Sequence, residues 1–163
     1  MGLMIGGSAE FSLTPSNKTT IRLEGLYVQK GWKEEGDILG IAYDETGIID
    51  ELVVAPFLVL RFPGESLTPF IQAGPELGFN LTAKGKVEAM GIEETADLED
   101  WASTNFGINI GGGFAIPSGS GEVILDARYN LGLTNMYTGE GDFTTKTNGI
   151  QFMVGYAFGV PEK

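Results

Sequence analysis

The feature that most constrains the fold of this chain is the alternation of polar and apolar residues along seven short segments. Between Asp126 and Leu133, polar or small residues occupy every second position and apolar residues fill the positions between them. Successive side chains of a β-strand point to opposite faces, so this period predicts strands with two unlike faces. The seven segments are residues 3–13, 19–32, 52–62, 70–82, 105–116, 122–133 and 148–158. They predict a single all-β domain over residues 1–163.

The linkers between these strands alternate in kind. Residues 14–18, 63–66 and 117–121 are short and rich in Pro, Gly and Ser, which is typical of tight turns. Residues 33–51, 84–104 and 134–147 are long and hold nearly all of the net charge of −12. Short turns at one end and long loops at the other are typical of an up-and-down antiparallel barrel that crosses the bacterial outer membrane.

The strand count predicts a missing element. The seventh strand ends on the side of the short turns, whereas the first strand begins on the side of the long loops. Single-chain bacterial barrels have an even number of strands. We therefore expect an eight-stranded barrel of which seven strands are present, with a first strand and a signal peptide upstream.

The alternation fits two barrels with opposite faces. A lipocalin-like barrel, soluble or secreted, would turn its apolar face inwards to hold an apolar ligand, whereas a membrane barrel turns that face to lipid. The lumen of eight strands is just wide enough for side chains to fill it. The apolar faces here are too bulky for that lumen, while the polar faces carry many Gly, Ser and Ala residues. The membrane barrel is therefore the preferred interpretation.

The polar faces also carry charges of both signs. In the lumen of a narrow barrel these residues are expected to form a paired and hydrogen-bonded network that plugs it, because buried charges need partners. The predicted network consists of Glu10, Arg22, Glu24, Arg61, Glu76, Glu122, Asp126 and Arg128. The alternative is that the same residues are solvated on a soluble sheet. Carboxylate pairs such as Glu76 with Asp126 or Glu10 with Glu24 could carry out acid–base catalysis. A buried ion network with the arginines is the preferred interpretation of the same residues.

Aromatic residues lie towards both ends of the predicted strands, as in the interfacial girdles of membrane barrels. The loop-side group is Tyr27, Trp32, Trp101, Tyr129 and Tyr137, and the turn-side group is Phe11, Phe62, Phe70, Phe114 and Phe158. Ordinary core packing is the alternative explanation for this distribution.

The composition excludes several functions. The chain has no His and no Cys, so neither a His-assisted nucleophile nor a thiolate or imidazole metal site is available. The acidic balance argues against nucleic acid as a partner. The segment 44–51 offers oxygen ligands for Ca²⁺, but it lacks EF-hand spacing, so a solvated acidic loop is the preferred interpretation and Ca²⁺ binding is the alternative. Residues 88–100 have a helical pattern and predict a short helix over the barrel mouth. We expect no enzyme activity, no cofactor and no metal.

Several segments resemble the PorT-type outer-membrane β-barrel family of Bacteroidota. They are residues 24–31, 55–58, 73–78, 127–133 and 155–158. The resemblance implies an outer-membrane location, contact with lipid and lipopolysaccharide, and insertion by the barrel assembly machinery. We expect a structural or interaction role, with the acidic loops as the surface for a protein partner. A soluble barrel with an apolar ligand and a narrow ion channel remain the alternatives.

Overall fold

A computed structural model describes residues 3–38, 41–89, 92–97, 101–139 and 144–158 of the chain. Eight β-strands account for most of these residues. They are β1 (Met4–Ser12), β2 (Thr19–Ile38), β3 (Ile41–Arg61), β4 (Thr68–Ala89), β5 (Ile92–Asp97), β6 (Thr104–Ser118), β7 (Gly121–Gly132) and β8 (Asn148–Phe158). Among the described residues, no helix has the length and apolar character needed to cross a membrane.

The strands form one antiparallel sheet in the order β1-β2-β3-β4-β6-β7-β8. The short strand β5 pairs with β4 over Lys84–Ala89 and occupies the same edge of β4 as β6 does further down. The sheet therefore has seven strand positions, each joined to the next in chain order. The predicted all-β meander of seven antiparallel strands is confirmed, and its shape is a curled half-barrel.

Hydrogen bonds between side chains of strands that are far apart in the sheet show how strongly the sheet curls. Arg128 on β7 donates a hydrogen bond of 2.7 Å to Glu24 on β2, although β3, β4 and β6 lie between these two strands. In a flat sheet the four intervals would separate the two backbones by about 19 Å, which is beyond the reach of the two side chains. The polar face must therefore be the concave one, which we call the inner face.

The two faces differ as the alternation predicts. The outer face presents large apolar side chains that are exposed on every long strand, for example Leu23, Leu58, Ile71, Ile110 and Phe152. The inner face buries Arg22, Glu24, Glu76, Asp126 and Arg128.

β3 differs from its neighbours because both of its faces are apolar. Its inner residues Val53, Ala55, Phe57 and Val59 are buried and join Val28 and Phe70 in one apolar cluster. A band of apolar packing therefore lines one wall of the half-barrel.

Three strands continue well past the apolar outer band. β2 and β3 pair as far as Ile38 with Ile41, and β4 follows them to Ala89. Most of the predicted loop 33–51 and the first part of segment 84–104 are thus strands, and the loop prediction is wrong there. The predicted helix over 88–100 is also wrong for Glu88–Ala89 and Ile92–Asp97, since these residues form β4 and β5. Residues 98–100 lie outside the described part of the chain.

A β-bulge separates the lower sheet from this extension. The register between β3 and β4 shifts between Asp50 and Glu51, whose partners are Thr82 and Asn80. The skipped residue, Leu81, reverses the alternation on β4. Thr82 therefore lies on the outer face, where it donates a hydrogen bond of 2.8 Å to Asp50. Unbroken alternation over the predicted segment 70–82 would place Thr82 on the same face as Asn80, and the bulge is the reason that this expectation is wrong.

Candidate functional site

The inner face carries an ion network that begins near the short turns. There Arg61, at the end of β3, donates to Glu10 on β1 at 2.8 Å and to Glu122 on β7 at 2.9 Å. Glu10 also accepts hydrogen bonds from Thr20 and from Arg22. One guanidinium thus joins three strands, and one carboxylate is held by three donors.

The network continues into the middle of the half-barrel. Arg128 donates to Glu24 at 2.7 Å and to Asp126 at 2.7 Å, and Arg22 lies 3.8 Å from Glu24 and 3.7 Å from Asp126. Gln72 accepts from Arg22 and donates to Asp126 at 2.8 Å. These groups are desolvated, but each charge has an opposite charge beside it, as burial of charge requires.

Two aromatic rings support the same guanidinium groups. The Arg22 guanidinium lies 5.1 Å from the ring centroid of Phe70, and that of Arg128 lies 4.6 Å from the centroid of Phe57. The negative ring face attracts a cation, most strongly where water is excluded. The apolar wall of β3 and the charged network are therefore in direct contact.

The structure brings seven of the eight residues predicted for the network into one connected group. They are Glu10, Arg22, Glu24, Arg61, Glu122, Asp126 and Arg128. Two of the predicted carboxylates, Glu10 and Glu24, share Arg22 as a common partner rather than facing each other alone. The eighth residue, Glu76, lies higher on the inner face, towards the long connections.

Glu76 belongs to a second cluster, which includes residues that the sequence interpretation missed. Lys30 on β2 forms an ion pair with Glu51 on β3, and its Nζ lies 3.6 Å from Glu76 Oε1. Asn109 on β6 donates to Glu76 Oε2 at 2.6 Å, and Asn130 on β7 donates to Asn109. The alternation itself could have identified Lys30, because it shares the parity of Arg22 and Glu24.

The outer face decides between the two barrels considered from the sequence. Large apolar side chains are exposed there, whereas the inner face buries six charged side chains, those of Arg22, Glu24, Glu51, Glu76, Asp126 and Arg128. A soluble barrel for an apolar ligand requires the reverse arrangement. The alternative of a lipocalin-like barrel is therefore wrong for this chain.

The aromatic residues follow the girdle prediction in part. Phe11, Phe62, Phe114, Phe158 and Tyr129 are exposed on the outer face. Phe70 is only 2% exposed and lies inside beneath Arg22, so its assignment to the girdle is wrong. Its position is explained by parity, because it shares a face with Gln72 and Glu76. The side chain of Trp32 lies outside the described part of the structure.

The described residues offer few groups for chemistry with a cofactor. Within the ranges that the structure describes, no group of three or more acidic side chains is placed to hold a metal ion. The carboxylates of the turn-side network accept hydrogen bonds from arginines. The arrangement can fill and rigidify the interior of a barrel.

Comparison with known proteins gave one match. The family described as "Outer membrane protein beta-barrel domain" matches residues 1–138, which include β1 to β7. No curated protein matched the chain, and no solved structure matched it.

Proposed function

The chain belongs to the outer membrane protein β-barrel domain family, and we propose that it serves the bacterial outer membrane as a structural or interaction barrel whose interior is plugged. Its place as a barrel of the outer membrane follows from the family and from the antiparallel sheet with its apolar outer face.

The network across the interior supports the plug. Arg128 bridges β7 to β2 and Arg61 bridges β3 to β1 and β7, so side chains from opposite walls meet in the middle. An eight-stranded barrel has an interior that side chains can fill completely. A continuous aqueous pore has no room where these guanidinium groups meet their carboxylates.

Electrical recording tests the plug. The native protein, purified in detergent from the outer membrane, is inserted into planar lipid bilayers under a voltage. We expect no discrete conductance steps from the native protein. The triple variant Arg22→Ala, Arg61→Ala and Arg128→Ala, which shortens the three inward side chains, is the positive control for an opened interior. Steady conductance of the native protein would favour the narrow ion channel and reject the plug.

We also propose that one further antiparallel strand closes the barrel. Within the described residues, β1 pairs only with β2 and β8 only with β7. β1 and β8 are the first and seventh strands of this meander, so they run in the same direction. A single strand antiparallel to both can therefore pair with each of them and close the barrel. Closure satisfies the backbone groups of both edges, which lipid cannot do.

Hydrogen exchange on the native protein tests this closure. Amide protons of β1 and β8 are expected to exchange as slowly as those of β4 and β6 if a strand covers both edges. Fast exchange along one edge would contradict closure. A dimer in light scattering would instead indicate that a second copy covers the edges.

The extension formed by the upper parts of β2, β3 and β4 together with β5 is proposed as the extracellular surface of the barrel. It carries acidic residues such as Glu93 and Glu94 beyond the apolar band, which suits contact with a protein partner or, through divalent ions, with lipopolysaccharide.

We propose insertion by the barrel assembly machinery and PorT-type membership, supported by the segments 24–31 and 127–133. The proposal includes no catalysis, since the chain lacks His and Cys.

A further inference from the structure

The two levels of the inner face differ in how well their oxygens are satisfied. Near the turns, both carboxylate oxygens of Glu10, of Glu24 and of Asp126 accept hydrogen bonds. In the loop-side cluster, Glu51 Oε1, Glu76 Oε1 and Asn105 Oδ1 are buried and accept none from the described residues. Orphaned buried acceptors are rare and call for a positively charged or donating partner.

Two of the residues that carry these oxygens, Glu51 and Asn105, are both adjacent to Gly78. The Glu51 carboxylate lies directly over Gly78, where a Cβ atom would collide with it. Asn105 is the direct cross-strand partner of Gly78 on β6, and cross-strand partners have Cβ positions about 5 Å apart. Glu51 is completely buried and Asn105 is 2% exposed, so bulk water does not reach these oxygens freely.

The charge balance of the loop-side cluster also indicates that a cation is missing. Two carboxylates, Glu51 and Glu76, share one ammonium group, that of Lys30. The cluster therefore has an excess of one negative charge in a buried position, which is costly without a further cation. Lys30 is the most accessible of the three, since 20% of its side chain is exposed. Its Nζ atom is itself buried, so a cation at this place would have to displace it from Glu51 and Glu76.

We propose that Glu51, Glu76 and Asn105 form a binding site for a hard cation of the Ca²⁺ type, for which Lys30 acts as a displaceable internal counter-ion. Carboxylate and amide oxygens are the ligands that Ca²⁺ prefers, and waters complete its coordination. The cation enters from the loop side and does not pass through, because Arg22 and Arg128 fill the interior below. The inference rests on the proposed plugged barrel and names a ligand for its open end.

Equilibrium Ca²⁺ binding to the detergent-purified native protein tests the site. We expect Glu51→Gln to weaken the affinity about tenfold or more, because even the loss of an outer-shell partner of a metal ligand typically costs about 10–100-fold in affinity. We expect Lys30→Met to strengthen the affinity by removing the competing ammonium. Glu122→Gln is the matched control, since it removes an inward carboxylate at the turn side, and it is expected to bind like the native protein.

Three results would overturn the site. They are absence of Ca²⁺ binding to the native protein, unchanged affinity in Glu51→Gln, which would place binding on the acidic extension, and equal losses in Glu51→Gln and Glu122→Gln. Asn105→Ala examines the same site from β6 should Glu51→Gln not fold. The heat-dependent gel mobility of each sample reports the barrel itself, so failure of the proposed function is seen separately from failure of the site.

Discussion

The guanidinium of Arg128 lies 4.6 Å from the centre of the Phe57 ring, and this contact places a cation against the apolar wall of β3. The same guanidinium holds Glu24 and Asp126. One side chain from β7 thus connects the charged network, the apolar wall and β2. The inward Arg residues are more than fillers of the interior, because they hold the two sides of the curled sheet together.

Arg128→Met is expected to lower the free energy of unfolding by about 3–5 kcal/mol. The change leaves the Glu24 and Asp126 carboxylates buried with a reduced share of positive charge, and removal of one partner of a buried ion pair has a cost of this size. Urea-driven unfolding in lipid vesicles, followed by the fluorescence of the two Trp residues, measures the difference.

The double variant Glu24→Gln with Arg128→Met provides the control. Because the two residues are in direct contact, their effects are expected to be clearly less than additive. Strictly additive losses would show that Arg128 stabilises the barrel by some route other than Glu24.

A charge placed on the outer face tests the contact with lipid. Ile110 lies in the middle of β6 and is 64% exposed, so Ile110→Arg is expected to cost about 2–4 kcal/mol in a bilayer. Ile48→Arg is the matched control, because Ile48 is also an exposed outer residue but lies on the extension, where the expected cost is about 0–1 kcal/mol. Equal costs at both positions would contradict the placement of the membrane band.

The alternation predicted the strands well wherever one face meets lipid and the other meets the polar interior. β7 follows this rule, with Asp126 and Arg128 inside and Leu125 and Tyr129 outside. Segment 52–62 shows little alternation because the inner residues of β3, for example Phe57, are apolar as well. An apolar run on both faces carries no period of two, so only the sheet as a whole assigns its sides.

Prediction was weakest above the membrane band. Residues 33–51 hold seven acidic residues and one Lys, and this charge led to their interpretation as a loop. Backbone pairing from Gly31 with Ile48 upwards needs no apolar face. Glu51 was therefore assigned to a loop and missed as a partner of Lys30, although it is completely buried on the inner face. The bulge at Leu81 has no signal in the alternation either.

Gly74→Ala is expected to destabilise the barrel by about 1–3 kcal/mol, as overpacking typically does. A Cβ on Gly74 would meet the carbonyl oxygen of Pro56 on the neighbouring strand, and backbone atoms cannot move aside as a flexible side chain can. Gly25→Ala is the matched control, since no atom lies within 4 Å of a Cβ built there. Thermal unfolding in detergent compares the two, and equal melting temperatures for both variants would contradict the prediction.

Arg61→Ala is expected to loosen the turn-side end of β1 more than it weakens the whole barrel. Arg61 joins Glu10 and Glu122 across the inner face, but Glu10 keeps Thr20 and Arg22 as donors, and Glu122 is exposed enough to be solvated. We therefore expect a loss of about 1.5–3 kcal/mol, typical of hydrogen bonds to charged groups, and faster amide exchange around Glu10 than in β4. Arg61→Lys retains the charge, and its free energy of unfolding is expected to lie between those of the native protein and Arg61→Ala. Unchanged exchange in β1 would indicate that the backbone ladder to β2 alone fixes this strand.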